Sequence, residues 1–199
     1  PMPQTLEELG SPEELAAMGD IGTLEDYEDV TVGDWAEGAP AEAATPETTA
    51  PATYNVKDSK DFIRQVRPEA VRIASVIGPD IQPDWLVNMW RHETGNGLSK
   101  TTKGSFNLGN IKSGKSWKGK KYNAGKVWED DKDGNAIKEQ SSFRVYDNFS
   151  QSADDFAKFL QSKRYDKVRT AKTKKEFYTE LKKAGYATDV KYVDKLMRF

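Results

Sequence analysis

The chain has 199 residues, enough for one sizeable hydrophobic core with an appendage. It holds no cysteine and one histidine, which removes disulfides, thiolate zinc sites, cysteine nucleophiles and multi-histidine metal centres from consideration. A formal net charge of −2 conceals a division: residues 1–56 carry thirteen Asp or Glu and no Lys or Arg, whereas residues 57–199 carry 19 acids against 30 bases.

Residues 1–53 read as an extended acidic arm. Pro1, Pro3, Pro12, Pro40, Pro46 and Pro51 interrupt it, and Ala39, Ala41, Ala43 and Ala44 with Thr45, Thr48 and Thr49 give a linker composition. Leu6 to Leu9, and Ser11 to Met18 with its Ser11-Pro12-Glu13-Glu14 helix start, are the pieces expected to order on a partner. The acidic start does not fit a secretory signal, and no apolar run approaches the ~18–20 residues of a transmembrane helix.

A compact domain is expected over residues 54–199. Asp58 or Ser59 caps a first helix with Phe62, Ile63 and Val66 on its apolar side. Pro68 is expected to open a second helix through Val71, Ile73, Ala74 and Ile77, which Gly78-Pro79 breaks. Pro83 opens the next helix. On it, Leu86, Met89, Trp90 and Glu93 fall at i, i+3, i+4 and i+7 and share one face, and Gly95 and Gly97 terminate it. A carboxyl there is expected to sit partly out of water against an aromatic wall, where desolvation favours the protonated acid. The adjacent His92 reads as an ordinary surface residue.

From Gly104 to Asn148 glycine, aromatic and β-branched residues dominate. Val127-Trp128 and Phe143-Arg144-Val145-Tyr146 read as strands around an Asp131-Lys132-Asp133-Gly134-Asn135 turn. That turn has glycine two positions too early for an EF-hand calcium loop, so no metal site is assigned. Lys112, Lys115, Lys118, Lys120, Lys121 and Lys126 surround Trp117 and Tyr122, a basic run suited to an anionic polymer such as the bacterial wall, ahead of nucleic acid. Helices return at Ser152, at Thr173 (with Glu176 as a capping box) and near Asp189. The fold class is α+β, mainly α, with a small β-hairpin lobe and a cleft between the two parts.

Five segments in order carry a resemblance. They are Glu93-Thr94-Gly95-Asn96-Gly97, Asn107-Leu108-Gly109-Asn110-Ile111-Lys112, Phe143-Arg144-Val145-Tyr146, Arg164-Tyr165, and Gly185-Tyr186-Ala187-Thr188-Asp189-Val190-Lys191-Tyr192. Together they resemble the glucosaminidase family that includes the flagellar peptidoglycan hydrolases, glycoside hydrolase family 73, from about Phe62 to Leu196. The chain departs from the family where it has Asn96 (often Trp), Gly109-Asn110 (often Phe-Gly) and Val190 (usually Pro).

The resemblance implies a lysozyme-like domain that hydrolyses the β-1,4 bond after N-acetylglucosamine in peptidoglycan, without a cofactor. It implies Glu93 as the general acid and Glu129, with Asp130 and Asp131 as rivals, as the second carboxylate; the substrate's acetamido group is the alternative to any second carboxylate. Tyr165 and Tyr186 match cleft tyrosines. Asn107 is a candidate for the acetamido group or a loop cap, and Trp117 for a sugar platform or packing under the β-lobe. Muramidase or lytic transglycosylase chemistry, and a non-catalytic glycan-binding virion protein, are the alternatives. The acidic arm, with no signal or wall-anchoring repeat in view, sets the expectation of a phage virion enzyme. On that expectation residues 1–53 dock on another tail or ejection protein.

Overall fold

The computed structural model describes residues 52–130 and 136–199, with the backbone alone described over 126–130 and 136–140. The acidic arm up to residue 51 and the 131–135 turn lie outside the described residues. Within them the architecture is mainly helical, with one two-stranded antiparallel sheet, as expected.

Helix α1 (Ser59–Ile77) starts where the Asp58 carboxylate accepts the Asp61 amide at 2.8 Å. Its buried stripe is Phe62, Val66, Ala70, Ile73, Ala74 and Ile77. Pro68 does not open a second helix; it lies inside this one, which corrects the expectation. Proline costs a helix the bond to the carbonyl four residues back. Here that carbonyl belongs to Arg64, and both residues are exposed, so water replaces the missing donor. Gly78 ends the helix in extended backbone because a β-carbon would lie 2.0 Å from the Arg169 carbonyl oxygen.

Helix α2 (Pro83–Glu93) begins at Pro83 as expected and buries Leu86, Met89, Trp90 and Glu93 on one side. The Trp90 ring meets Phe156 edge-on at 5.7 Å. Helix α3 (Lys100–Ser105) was not signalled by periodicity, since Lys100-Thr-Thr-Lys-Gly-Ser carries no apolar stripe. It forms because Ser99 caps it, accepting the Thr102 amide at 3.1 Å, and Phe106 closes it in the left-handed region.

Strands β1 (Lys121–Asp130) and β2 (Ala136–Arg144) pair antiparallel, with Lys121 opposite Arg144 and Glu129 opposite Ile137. A register shift between Asn123 and Gly125 marks a bulge. Lys112 bridges to Phe143 and so joins the preceding loop to the hairpin.

Helix α4 (Phe149–Phe159) starts three residues before the expected Ser152, because Asn148 caps it through the Gln151 amide at 2.9 Å. Ser152 is buried instead, its hydroxyl accepting the Leu108 amide at 2.9 Å. A 3-10 turn (Lys163–Tyr165) and helix α5 (Asp166–Arg169) lead to helix α6 (Lys174–Lys183). Thr173 caps α6 as expected, but Glu176 accepts the Lys172 amide at 2.7 Å, one residue upstream of the usual reciprocal bond. Helix α7 (Tyr192–Leu196) closes the described fold.

The core joins α1, α2, α4 and α6 through Phe62, Leu86, Met89, Trp90, Phe156, Phe177 and Leu181. No helix among the described residues is long and apolar enough to cross a membrane.

Candidate active site

Glu93 is the last residue of α2 and is 5% exposed. Its Oε1 accepts a hydrogen bond from the Tyr192 hydroxyl at 2.8 Å. Tyr192 comes from α7, ninety-nine residues later, so the closing helix holds the end of α2. Burial, and then the carboxylate beside it, push the Tyr192 phenol well above its ordinary range and keep it a donor.

The turn after Glu93 is fixed on both sides. Thr94 donates to the Trp90 carbonyl and accepts the Gly97 amide at 2.9 Å. Gly95, Asn96 and Gly97 all take positive φ (55°, 57° and 80°), and a β-carbon at Gly97 would strike the Phe62 ring at 2.4 Å. The Asn96 side-chain oxygen accepts from Arg91 Nε and from Ser59, each at 3.0 Å. Tyr54 donates to the Gly97 carbonyl at 2.5 Å and packs on Phe106 and Phe149.

His92 is buried, not a surface residue as the sequence suggested. Its ring meets Tyr192 edge-on at 5.5 Å. Burial first, and then the Lys195 ammonium, lower its pKa to about 4 against the pull of Asp189, so it is neutral near pH 7. Burial opposes charge on Asp189, but Lys195 at 2.7 Å and the Lys191 amide at 2.8 Å hold this carboxyl below its ordinary range.

Three of the residues named from the sequence stand behind the surface. Asn107 is fully buried: Nδ2 donates to the carbonyls of Ile111 (2.8 Å) and Arg144 (3.0 Å), and Oδ1 accepts the Ile111 amide at 2.8 Å. Its amide therefore ties the 107–111 loop to the end of β2, which is the loop-cap role. Tyr186 is fully buried and donates to the Gly109 carbonyl at 2.7 Å. Tyr165 is 1% exposed, packs on Phe159 at 5.2 Å and lies 6.3 Å from Tyr186.

Trp117 is half-buried. Its Nε1 donates to the Lys120 carbonyl at 2.9 Å, and the Arg144 guanidinium lies 4.6 Å from its ring centre. Arg144 and the Tyr146 hydroxyl both bond Asp155 Oδ2 at 2.6 Å. This Arg144–Asp155–Tyr146 junction, which sequence reasoning missed, fastens the hairpin to α4. Glu129 lies on β1, and its side chain is outside the described set. Among residues whose surroundings are described, no group of three or more His, Cys, Asp or Glu could hold a metal.

The family model described as mannosyl-glycoprotein endo-beta-N-acetylglucosaminidase matches residues 68–199, two thirds of the chain. The chain belongs to the glucosaminidase family. Among curated relatives, the peptidoglycan hydrolase FlgJ of Pseudomonas aeruginosa is 37% identical over 142 residues, covering 68% of this chain and 34% of that protein. FlgJ of Vibrio parahaemolyticus is 32% identical over 153 residues, covering 74% of this chain and 48% of its own length. The chain thus spans half or less of these relatives. Among solved structures, a mutant peptidoglycan hydrolase from Sphingomonas sp. A1 superposes with a TM-score of 0.62 at 34% identity, covering 69% of this chain and 89% of that one.

The places where this glucosaminidase chain departs from the family pattern have local explanations. Asn110 takes φ 52°, the left-handed region where the family's usual glycine is at ease and asparagine is the side chain that best tolerates it. At Gly109 a β-carbon would lie 2.8 Å from both the Phe156 ring and the Tyr186 hydroxyl, so the tight packing has moved to that position. Asn96 uses the same left-handed tolerance and spends its side chain on Arg91 and Ser59. Val190 is 83% exposed, and nothing in the structure explains the loss of proline there.

Proposed function

We propose that this chain hydrolyses the β-1,4 bond after N-acetylglucosamine in bacterial peptidoglycan, with Glu93 as general acid. The observation that carries the reading is a carboxyl 5% exposed at a helix end and held on one oxygen by Tyr192, inside the glucosaminidase match. The glycosidic C–O bond breaks as an oxocarbenium-like centre develops, and the departing oxygen takes the Glu93 proton. Water adds to the anomeric carbon, and its proton passes to the second carboxylate, so one water is consumed. Tyr192 fixes the rotation of the acid, so the proton is delivered along one direction.

Glu129 is the second carboxylate in this reading, with Asp130 and Asp131 as neighbours on the same turn and the substrate's acetamido group as the alternative. Trp117, half-buried on a loop and braced by Arg144, is the ring offered to a sugar face. Tyr186 and Asn107 act from behind by holding the 107–111 loop, and Tyr165 by packing near Tyr186.

The test is Glu93→Gln on purified peptidoglycan, with reducing ends counted and released termini weighed by mass spectrometry. Loss of release with N-acetylglucosamine termini in the parent supports the proposal. N-acetylmuramic acid termini would reassign the enzyme as a muramidase, anhydro termini as a lytic transglycosylase, and silence of the parent as a glycan binder.

A virion location, with residues 1–53 docked on another tail or ejection protein, remains our reading of the acidic arm. Its support is the charge division between residues 1–56 and 57–199. Normal particle incorporation of a chain lacking residues 1–53 would remove it.

A further inference from the structure

The stretch between the two proposed carboxylates, residues 94–128, contains eight lysines and no acid. Its middle folds into a tight turn: the Trp117 amide donates to the Gly114 carbonyl at 3.2 Å, and the Lys120 carbonyl accepts both Trp117 Nε1 and the Val145 amide. Lys115, Lys118, Lys120 and Lys121 are exposed around this turn. Lys120 pairs with Asp147 at 3.1 Å, whereas Lys115, Lys118 and Lys121 make no ion pair among the described residues.

The acidic segment joins the domain at the same place. The Ala52 amide donates to the Asp147 carbonyl at 2.9 Å, so the chain preceding residue 52 departs from the very residue that holds Lys120. Seven of its thirteen acids lie between Asp20 and Glu37, about 15–32 residues from the anchor. At roughly 3.3 Å per residue that tether reaches any of these lysines. A short tether also makes the encounter intramolecular, at an effective concentration in the millimolar range.

We infer that the Asp20–Glu37 segment docks in cis on the Lys115–Lys118–Lys121 face and that an anionic wall polymer must displace it. The activity part of this inference rests on the hydrolase reading; the docking part does not. The contact is electrostatic, so it weakens as the screening length shrinks from ~10 Å at 0.1 M salt to ~3 Å at 1 M.

The experiment uses the full chain. A zero-length carboxyl-to-amine cross-linker is applied at low salt, and the linked peptides are read by mass spectrometry, with a mixture of isotopically light and heavy chains to separate linkage within a copy from linkage between copies. The expected result is intramolecular linkage from Asp20–Glu37 to Lys115, Lys118 or Lys121, lost at 1 M salt and lost when all three lysines are changed to glutamate. Absence of such links, or links only between light and heavy chains, overturns the inference. In a second arm, the seven acids of the segment are changed to their amides in the full chain. Peptidoglycan release at low salt should then rise three-fold or more and converge with the parent at high salt. Equal rates at low salt, with the links present, would overturn the displacement step. Should neither chain release fragments, the hydrolase reading fails while the cross-links still decide the docking.

Discussion

The Tyr192 hydroxyl donates to Glu93 Oε1 across 2.8 Å, joining the last described helix to the end of α2. The sequence places these groups ninety-nine residues apart, and Tyr192 is 2% exposed, so the bond is made out of water and is directional. Around it His92, Asp189 and Lys195 form a polar layer in which the imidazole is neutral and the carboxylate is charged.

Glu93→Gln keeps the shape of the side chain and removes its transferable proton. Its expected effect is a loss of about 10²–10⁴-fold in turnover on purified wall material, the range of general acid catalysis, with the melting temperature within a few degrees of the parent. A turnover within two-fold of the parent would exclude Glu93 from the chemistry.

Tyr192→Phe tests positioning. The acid remains but loses its anchor, so kcat should fall by about ten-fold or more with KM little changed, as expected for an interaction that orients rather than binds. A phenol donor favours the carboxylate form, so its removal should move the alkaline limb of the pH–rate profile to higher pH. An unchanged profile with equal kcat would reduce the bond to a packing detail.

His92 sets an acid limit on stability. Its pKa of about 4 in the fold lies below the ordinary value of 6.5, so the folded state prefers the neutral ring. The stabilisation is complete above pH 6.5 and is lost as pH falls from 6.5 towards 4, because the unfolded chain gains the proton first. The full shift corresponds to roughly 3 kcal/mol. His92→Gln should flatten the urea midpoint against pH over that window, and an identical slope in the variant would remove His92 as its source.

The Arg144–Asp155 pair is mostly out of solvent, with side-chain exposures of 6% and 19%. Asp155→Ala leaves the guanidinium without this partner and strips the Tyr146 hydroxyl of its acceptor. A cost of about 3–5 kcal/mol is expected for breaking such a pair, and thermal unfolding should fall by roughly ten degrees. Trp117 stacks on the same arginine, so its fluorescence should shift to the red in the variant while still folded. A melting point within two degrees of the parent would show the junction to be dispensable.

Asn107→Ala removes three hydrogen bonds to backbone, two given and one received. Each is worth about 1 kcal/mol in the net, and more where a buried carbonyl is stranded. The loss should be read in stability, with KM of the folded fraction unchanged. A raised KM at parental stability would instead make Asn107 a ligand for the substrate.

Local signals were legible where one residue type has one physical use. Pro83, Asp58 and Thr173 marked helix starts, and Leu86, Met89, Trp90 and Glu93 marked a buried face, because capping and period-3.6 burial are written in neighbouring residues. Pro68 misled because its tolerance depends on which side of α1 faces water, a tertiary fact. His92 misled likewise: polar residues beside a helix end are usually solvated, and only the packing of α7 covers this one. The partners of Glu93, Asn107 and Arg144 were invisible for the same reason, since each comes from a distant segment. The motifs located the tyrosines of the closing segment, but not that Tyr192 rather than Tyr186 touches the acid.

Tyr54 has a bearing on how this domain is cut. The family match opens at residue 68, yet Tyr54 reaches the Gly97 carbonyl, and Phe62 lies beneath the Gly97 backbone. A fragment trimmed to the matched region would start midway along α1, with Phe62 and Val66 missing from the centre of the molecule. The loop that follows the proposed acid would then lose its floor, so inactivity of such a fragment would speak of its boundaries rather than its chemistry.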